Sequence, residues 1–225
     1  MDSLRDLCRT IDNTLLRQDV SVVEVEEFVS RSMEARFRTV VVPPWMVAHA
    51  VSMTENSETG VSVVIGFPLG YHPLGVKLAE IDHYMEMGSG VTDFDVVLNL
   101  SALKSGMWDY VESEIRALAG RLSDRIFKLI VETPLLSEYE IRKIGRICAG
   151  VDGLDYVKTS SGFCGSPTTE DQVRILAETM MGEKRIKVSG GVRSMADLER
   201  FVVVGGDVFG TSSGLSIIKE TCPVL

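Results

Sequence analysis

The chain has no long apolar run. Nothing in it approaches the roughly 20 consecutive apolar residues of a membrane span, and the start, MDSLRDLCRT, lacks the basic and apolar regions of a signal peptide. The expectation is a cytoplasmic protein with no membrane partner. Cysteines are few and unordered: Cys8, Cys148, Cys164 and Cys222 form no CxxC pair and no regular framework, so they read as free thiols in a reducing compartment. The histidines, His49, His72 and His83, make neither HxH nor HExxH, which argues against a zinc-dependent reaction. Positive charge is not in excess. A net charge of -9 argues against nucleic acid or an anionic membrane as partner, so any phosphate must be held by local groups. There is no low-complexity segment and no linker rich in Pro, Gly and Ser, and residues 1–225 read as a single domain.

What is present is an alternation. Short β-branched runs at 9–12, 38–42, 61–66, 92–98, 127–132, 154–159, 185–189 and 207–210 predict eight strands. Between them, amphipathic patterns predict helices over 21–35, 45–54, 75–87, 108–119, 137–148, 169–181 and 195–204. Ser21 with Glu24, and Ser137 with Glu140, have the capping-box spacing of helix starts. Eight strands separated by about seven helices suit an α/β fold of the (β/α)8 TIM-barrel type, whose usual length of about 250 residues is close to this chain's. A doubly wound open sheet is the structural alternative, disfavoured because no GxGxxG follows the first strand.

In such a barrel the chemistry sits at the C-terminal strand ends. Strand one ends in Ile11-Asp12-Asn13-Thr14, strand four carries Asp95, strand six ends in Lys158 and strand seven carries Lys187. Strands six and seven lie about 4.8 Å apart, which puts the two amines within about 5 to 7 Å of each other. At an effective dielectric near 20 their repulsion is about 3 kcal/mol, or roughly two pKa units. One amine is then neutral near pH 7, as attack on a carbonyl requires. Lys158 is assigned as nucleophile, Lys187 as the cation that lowers its pKa, and Asp95 as the acid that relays protons between carbinolamine, imine and enamine. An isolated lysine at a strand end is usually a solvated side chain, and an isolated Asp95 a structural acceptor. The pair of lysines, each followed by a glycine turn, favours catalysis. Three such turns, at Ser161-Gly162, Gly190-Gly191 and 210–214, with Arg193 beyond the second, favour a phosphate monoester held by backbone N–H groups. Each turn alone is equally a tight βα connection.

Several long motifs occur in order between residues 11 and 218: IDNTLL, VIGFPLG, DFDVVLNLSALKSG, VKTSSGF, KVSGGVRS and FGTSSG. Together they resemble the deoxyribose-phosphate aldolases, class I aldolases on a (β/α)8 barrel. The resemblance implies Lys158 as the Schiff-base lysine, Lys187 as the second lysine and Asp95 as the proton-relay acid. It implies that Asp12 and Thr14 bind or orient the sugar end, and that Gly162, Gly190, Gly191, Arg193, Ser212 and Ser213 line the phosphate site. The implied reaction is reversible cleavage of 2-deoxy-D-ribose 5-phosphate to D-glyceraldehyde 3-phosphate and acetaldehyde, without metal or organic cofactor, in a homo-oligomer, dimer or tetramer. Three stretches depart from the family pattern. Val41-Val42-Pro43-Pro44 replaces a Cys-Val-Asn-Pro type segment, Tyr71-His72-Pro73-Leu74-Gly75 replaces a loop with threonines and a glutamate, and no tyrosine follows Tyr156. The first two support, as an alternative, a class I aldolase for a different phosphorylated aldol; a sugar-phosphate isomerase or sensor without imine chemistry on the same barrel is a further alternative.

Overall fold

The computed structural model describes residues 4–221, so Cys222 lies outside the described residues. Eight strands, β1 (Ile11–Thr14), β2 (Thr39–Val41), β3 (Gly60–Ile65), β4 (Val91–Val97), β5 (Ile126–Ile130), β6 (Tyr156–Lys158), β7 (Arg185–Ser189) and β8 (Val208–Thr211), pair in sequence order. All pairings are parallel, and β8 returns to pair with β1, closing the barrel. Seven helices follow the predicted pattern: α2 (Val22–Glu34), α3 (Val47–Thr54), α4 (Leu74–Met85), α6 (Trp108–Arg121), α7 (Glu138–Ala149), α8 (Glu170–Met180) and α9 (Met195–Val203). Three more were not anticipated: α1 (Leu4–Cys8), α5 (Leu100–Lys104) and α10 (Gly214–Thr221). All three have at most eight residues, too few turns for a hydrophobic period to stand out.

Both expected capping boxes form, Ser21 with Glu24 and Ser137 with Glu140. Two others, Thr169 with Gln172 and Ser194 with Asp197, start α8 and α9. The first strand was expected two residues too early. Arg9 and Thr10 instead donate back to Arg5 and Leu7 and end α1. Strand β6 is three residues long by its own ladder, but Asp155 N donates to Phe127 and Thr159 N to Lys187, each at 3.0 Å, so its hydrogen-bonded reach is close to the 154–159 expected.

Alternation along each strand sorts the side chains into two cores. Phe94, Val96, Phe127, Leu129, Val157, Ile186, Val188 and Phe209 join the apolar layer between sheet and helices. The intervening residues point to the barrel axis. There, buried Asp93 and Asp95 of β4, Lys128 of β5, Tyr156 and Lys158 of β6, Lys187 of β7 and Asp12 of β1 take the place that branched apolar side chains commonly fill. The interior of this barrel is ionic.

Candidate active site

Register brings the charges together. Asp95 of β4 lies opposite Lys128 of β5, and Lys158 of β6 lies opposite Lys187 of β7. The Asp95 carboxylate is the hub. Its Oδ2 accepts from Lys158 Nζ at 2.7 Å and Lys187 Nζ at 2.6 Å, and its Oδ1 accepts from Lys128 Nζ at 3.0 Å and Ser62 Oγ at 3.2 Å. Two lysines therefore share one oxygen, which fixes their amines at the close approach expected from the sequence.

Burial raises the cost of charging Asp95, and Lys128, Lys158 and Lys187 overcome it, holding the carboxyl well below the usual range. Lys158 moves the other way. Burial pushes its ammonium down to about 8, with Asp95 opposing and Lys187 adding to the fall. Lys187 does act as the cation that lowers this pKa, but desolvation comes first, because Lys158 lies 4% exposed at the end of β6.

Asp12 sits deeper than its expected contact with the sugar requires. It is fully buried, accepts from Arg38 Nη1 at 2.6 Å, and has Lys187 Nζ 2.6 Å from its other oxygen in an ion pair not aligned as a hydrogen bond. Its carboxylate faces cations on both sides, so it supports Lys187 from below. Burial acts to raise its pKa, and Lys187, Arg38 and Lys128 reverse the direction. Thr14 is half-buried at the end of β1 and donates to the Asp12 carbonyl at 3.0 Å.

Three members of the cluster were missed in the sequence: Lys128, Asp93 and Arg38. Lys128 forms ion pairs with Asp93 at 2.5 Å and Asp95 at 3.0 Å, and Arg38 hydrogen-bonds Asp93. The signal was available, since a lysine within Phe127-Lys128-Leu129 occupies the same inward phase as its register partner Asp95.

Above the charges, the turns after β6 and β7 form a cleft of about 700 Å³ whose walls include Gly162, Thr168, Gly190, Gly191 and Arg193. Thr168 N donates to the Gly190 carbonyl at 2.9 Å, and the Thr168 hydroxyl donates to the Ser189 carbonyl at 2.6 Å, which locks the two turns together. Gly190 and Gly191 have φ of +83° and +105°, a region that side chains disfavour. The exposed Arg193 has no carboxylate partner for its guanidinium among the described residues, while its backbone N–H is held by Asp197 at 2.9 Å. Ser212 and Ser213 stand on the next turn of the rim, before α10, and do not line this cleft.

A second cavity of about 110 Å³ has a mainly apolar wall of Leu69, Leu98, Ile130, Leu135 and Phe163, with Glu132 and Ser161 also lining it. Lys158 lines neither cavity. Its register partner Ile130 lies in the wall of the second, and the turn that begins at Thr159 separates the two. That turn is held by Glu132, whose Oε1 accepts from Ser160 Oγ at 2.5 Å and Ser161 N at 2.9 Å. Among the described residues no group of three or more His, Cys, Asp or Glu is placed to hold a metal ion, and no helix is long and apolar enough to cross a membrane. Cys8, Cys148 and Cys164 are free thiols.

No family model matches the chain. Among curated proteins it is similar to the deoxyribose-phosphate aldolase of Aquifex aeolicus, 38% identical over 215 residues that cover 96% of each chain. The deoxyribose-phosphate aldolase of Staphylococcus carnosus is 34% identical over 95% of this chain and 96% of that protein. Among solved structures, an aldolase called QR15 superposes with a TM-score of 0.91 at 37% identity, over 99% of this chain and 97% of that one. The deoxyribose phosphate aldolase of Aeropyrum pernix, described as a unique tetrameric structure, gives 0.86 at 30% identity over 100% and 94% of the two chains.

Proposed function

The chain belongs to the deoxyribose-phosphate aldolase family, and on that premise we propose that Lys158 is the amine with which it cleaves 2-deoxy-D-ribose 5-phosphate. The protein is a lyase of the aldolase type. Its reaction yields D-glyceraldehyde 3-phosphate and acetaldehyde through a lysine Schiff base. One observation carries the assignment of Lys158: of the three interior lysines it alone is exposed at all, and its pKa of about 8 makes its free amine available near neutral pH.

Lys158 Nζ attacks C1 of the open-chain aldehyde and gives a carbinolamine, which loses water to become the imine. Loss of the C3 hydroxyl proton then breaks the C2–C3 bond. The electron pair moves into the imine, releasing glyceraldehyde 3-phosphate and leaving acetaldehyde as the enamine. Protonation at C2 and hydrolysis free the lysine. Asp95 Oδ2 touches both Lys158 and Lys187, so protons cross between amines and water at this atom. The low pKa of the carboxyl keeps the proton from resting there. Asp95 supplies the balancing negative charge as the iminium forms, and Lys187, paired with Asp12 and Asp95, holds that carboxylate in place.

Gly162, Gly190, Gly191 and Arg193 are the proposed walls for the phosphate, while Ser212 and Ser213, on the turn ahead of α10 and outside that cleft, are proposed to reach it only from the rim. Asp12 acts by holding Lys187, and Thr14 sits at the rim toward the sugar. We further assign the reaction to the cytoplasm and the chain to a homo-oligomer, a dimer or tetramer, which sedimentation of the purified protein tests directly.

The decisive experiment is peptide mass spectrometry after incubation with acetaldehyde and borohydride, which reduces the imine to a stable ethylamine. An ethyl group is expected on Lys158, absent in Lys158→Ala and slower to form in Lys187→Ala. Wild type without an adduct on Lys158 at any pH between 6 and 9 sinks the assignment.

A further inference from the structure

We propose that Arg38, at the barrel end opposite the glycine turns, is a positioning residue whose fixed charge makes Lys158 the surplus cation of the interior and thereby the first of its amines to give up a proton. This rests on the reading of Lys158 as the nucleophile. Arg38 directly precedes β2 and so enters the barrel from the end opposite the glycine turns. Its side chain is 11% exposed, hydrogen-bonds both Asp12 and Asp93, and lies over the ring of Tyr156, 5.6 Å from the centroid.

The ionisable groups facing the axis can be taken wall by wall. Strand β1 gives Asp12, β4 gives Asp93 and Asp95, β5 gives Lys128, β6 gives Tyr156 and Lys158, and β7 gives Lys187, while β2, β3 and β8 carry none. Arg185, at the start of β7, lies with its guanidinium 4.0 Å from the Tyr156 ring centroid, and Glu132, beyond β5, is engaged by Ser160 and Ser161. Leaving the Tyr156 phenol neutral, three carboxylates face four cationic groups, Arg38, Lys128, Lys158 and Lys187.

An unpaired charge is costly where water is excluded, so this set favours giving up one proton. Arg38 keeps its own, because a guanidinium does not deprotonate in proteins. Lys128 lies within 3.6 Å of three carboxylates: Asp93, Asp95 and Asp12. Lys187 touches two, Asp12 and Asp95, each at 2.6 Å, and Lys158 touches only Asp95. Lys158 is therefore the first of the four to give up its proton as pH rises. Without Arg38, three lysines match three carboxylates and Lys158 holds its proton to higher pH. Burial sets the direction for the nucleophile, and Arg38 adds to it without touching it, through the carboxylates it neutralises.

The test measures the pH dependence of Lys158 acetylation by trace acetic anhydride, read by peptide mass spectrometry on full-length protein, so it needs no aldol turnover. Arg38→Met is expected to move the midpoint up by about one pH unit, and Arg38→Lys to keep it within about 0.3 of wild type. Asp93→Asn, which adds a second surplus cation, should move it down. The double variant Arg38→Met with Asp93→Asn removes one charge of each sign and should return it to the wild-type value.

A residue that only seals the barrel end would lower the melting temperature without this pattern. Midpoints unmoved in Arg38→Met and in Asp93→Asn overturn the inference. Should Arg38→Met fail to fold, a missing downward shift in Asp93→Asn overturns it instead, and a clear one supports it. Failure to trap acetaldehyde on Lys158 would strike the catalytic reading alone and leave these midpoints readable.

Discussion

A buried ammonium that touches one carboxylate oxygen, itself shared with a second lysine, is under-paired, and that is the condition of Lys158. Burial holds its pKa at about 8 against about 10.4 for a free lysine. Attack needs the neutral amine, so kcat/KM for deoxyribose phosphate cleavage should fall about tenfold per pH unit below that value. At pH 7 about one molecule in ten is then competent. A profile flat from pH 6 to 9 would mean that amine deprotonation does not limit the reaction. Asp95 and the two assigned lysines were legible in the sequence as polar residues breaking apolar strands. Lys128 breaks an apolar strand in the same way, yet neither it nor Arg38 could be joined to the set, because a charge in a strand reveals its partner only when register is known.

At the scale of elements, the helix starts aim the site. Ser194 caps α9 by accepting from Asp197 N at 3.1 Å, and the Asp197 carboxylate accepts in turn from Ser194 N at 3.0 Å and Arg193 N at 2.9 Å. The cap of one helix thus holds the residue assigned to phosphate. Ser194→Ala is expected to cost about 1 kcal/mol, lowering the melting temperature by about 2 to 4 °C in a chain of this size. It should also raise KM more than it lowers kcat, since Arg193 is displaced while the lysines are not. An unchanged KM beside the lower melting temperature would separate the cap from the phosphate site. Backbone closeness matters as well. A Cβ at Gly210 would lie 2.3 Å from Ser189 Oγ and 3.1 Å from Lys187 Cε, so β8 must present a glycine there to leave Lys187 its place. The sequence suggested this glycine only as part of a turn.

For the molecule as a whole, a chain of net charge -9 encloses an interior in which cationic side chains outnumber carboxylates. The interior groups make stability rise with pH in two separate windows. Asp12 and Asp95 have folded pKa values below the ordinary aspartate value of about 3.9, so their contribution is complete above about pH 5 and is lost as pH falls. Lys158 has a lowered folded pKa. Between about 8 and 10 the unfolded chain binds a proton that the folded one does not, and this group makes stability rise with pH there. Urea midpoints are expected to climb steeply from pH 3 to pH 5 with little change in slope. Equal midpoints at those two values would mean that the interior carboxylates are not held as ions by the fold.

The sequence by itself determined the α/β alternation, the eight-strand barrel, two of the helix caps, the pair of lysines and the family. These are properties of local pattern, where hydrophobic period, cap residues and glycine turns act within a few positions of one another. Only the tertiary structure decided that Asp12 lies beneath the site, that Lys128 and Arg38 belong to the same ionic set, and that Ser212 and Ser213 stand apart from the cleft. Those facts depend on strand register, barrel closure and the exclusion of water along the axis. Each of them fixes which charges meet and how strongly they act, and no single strand carries that information.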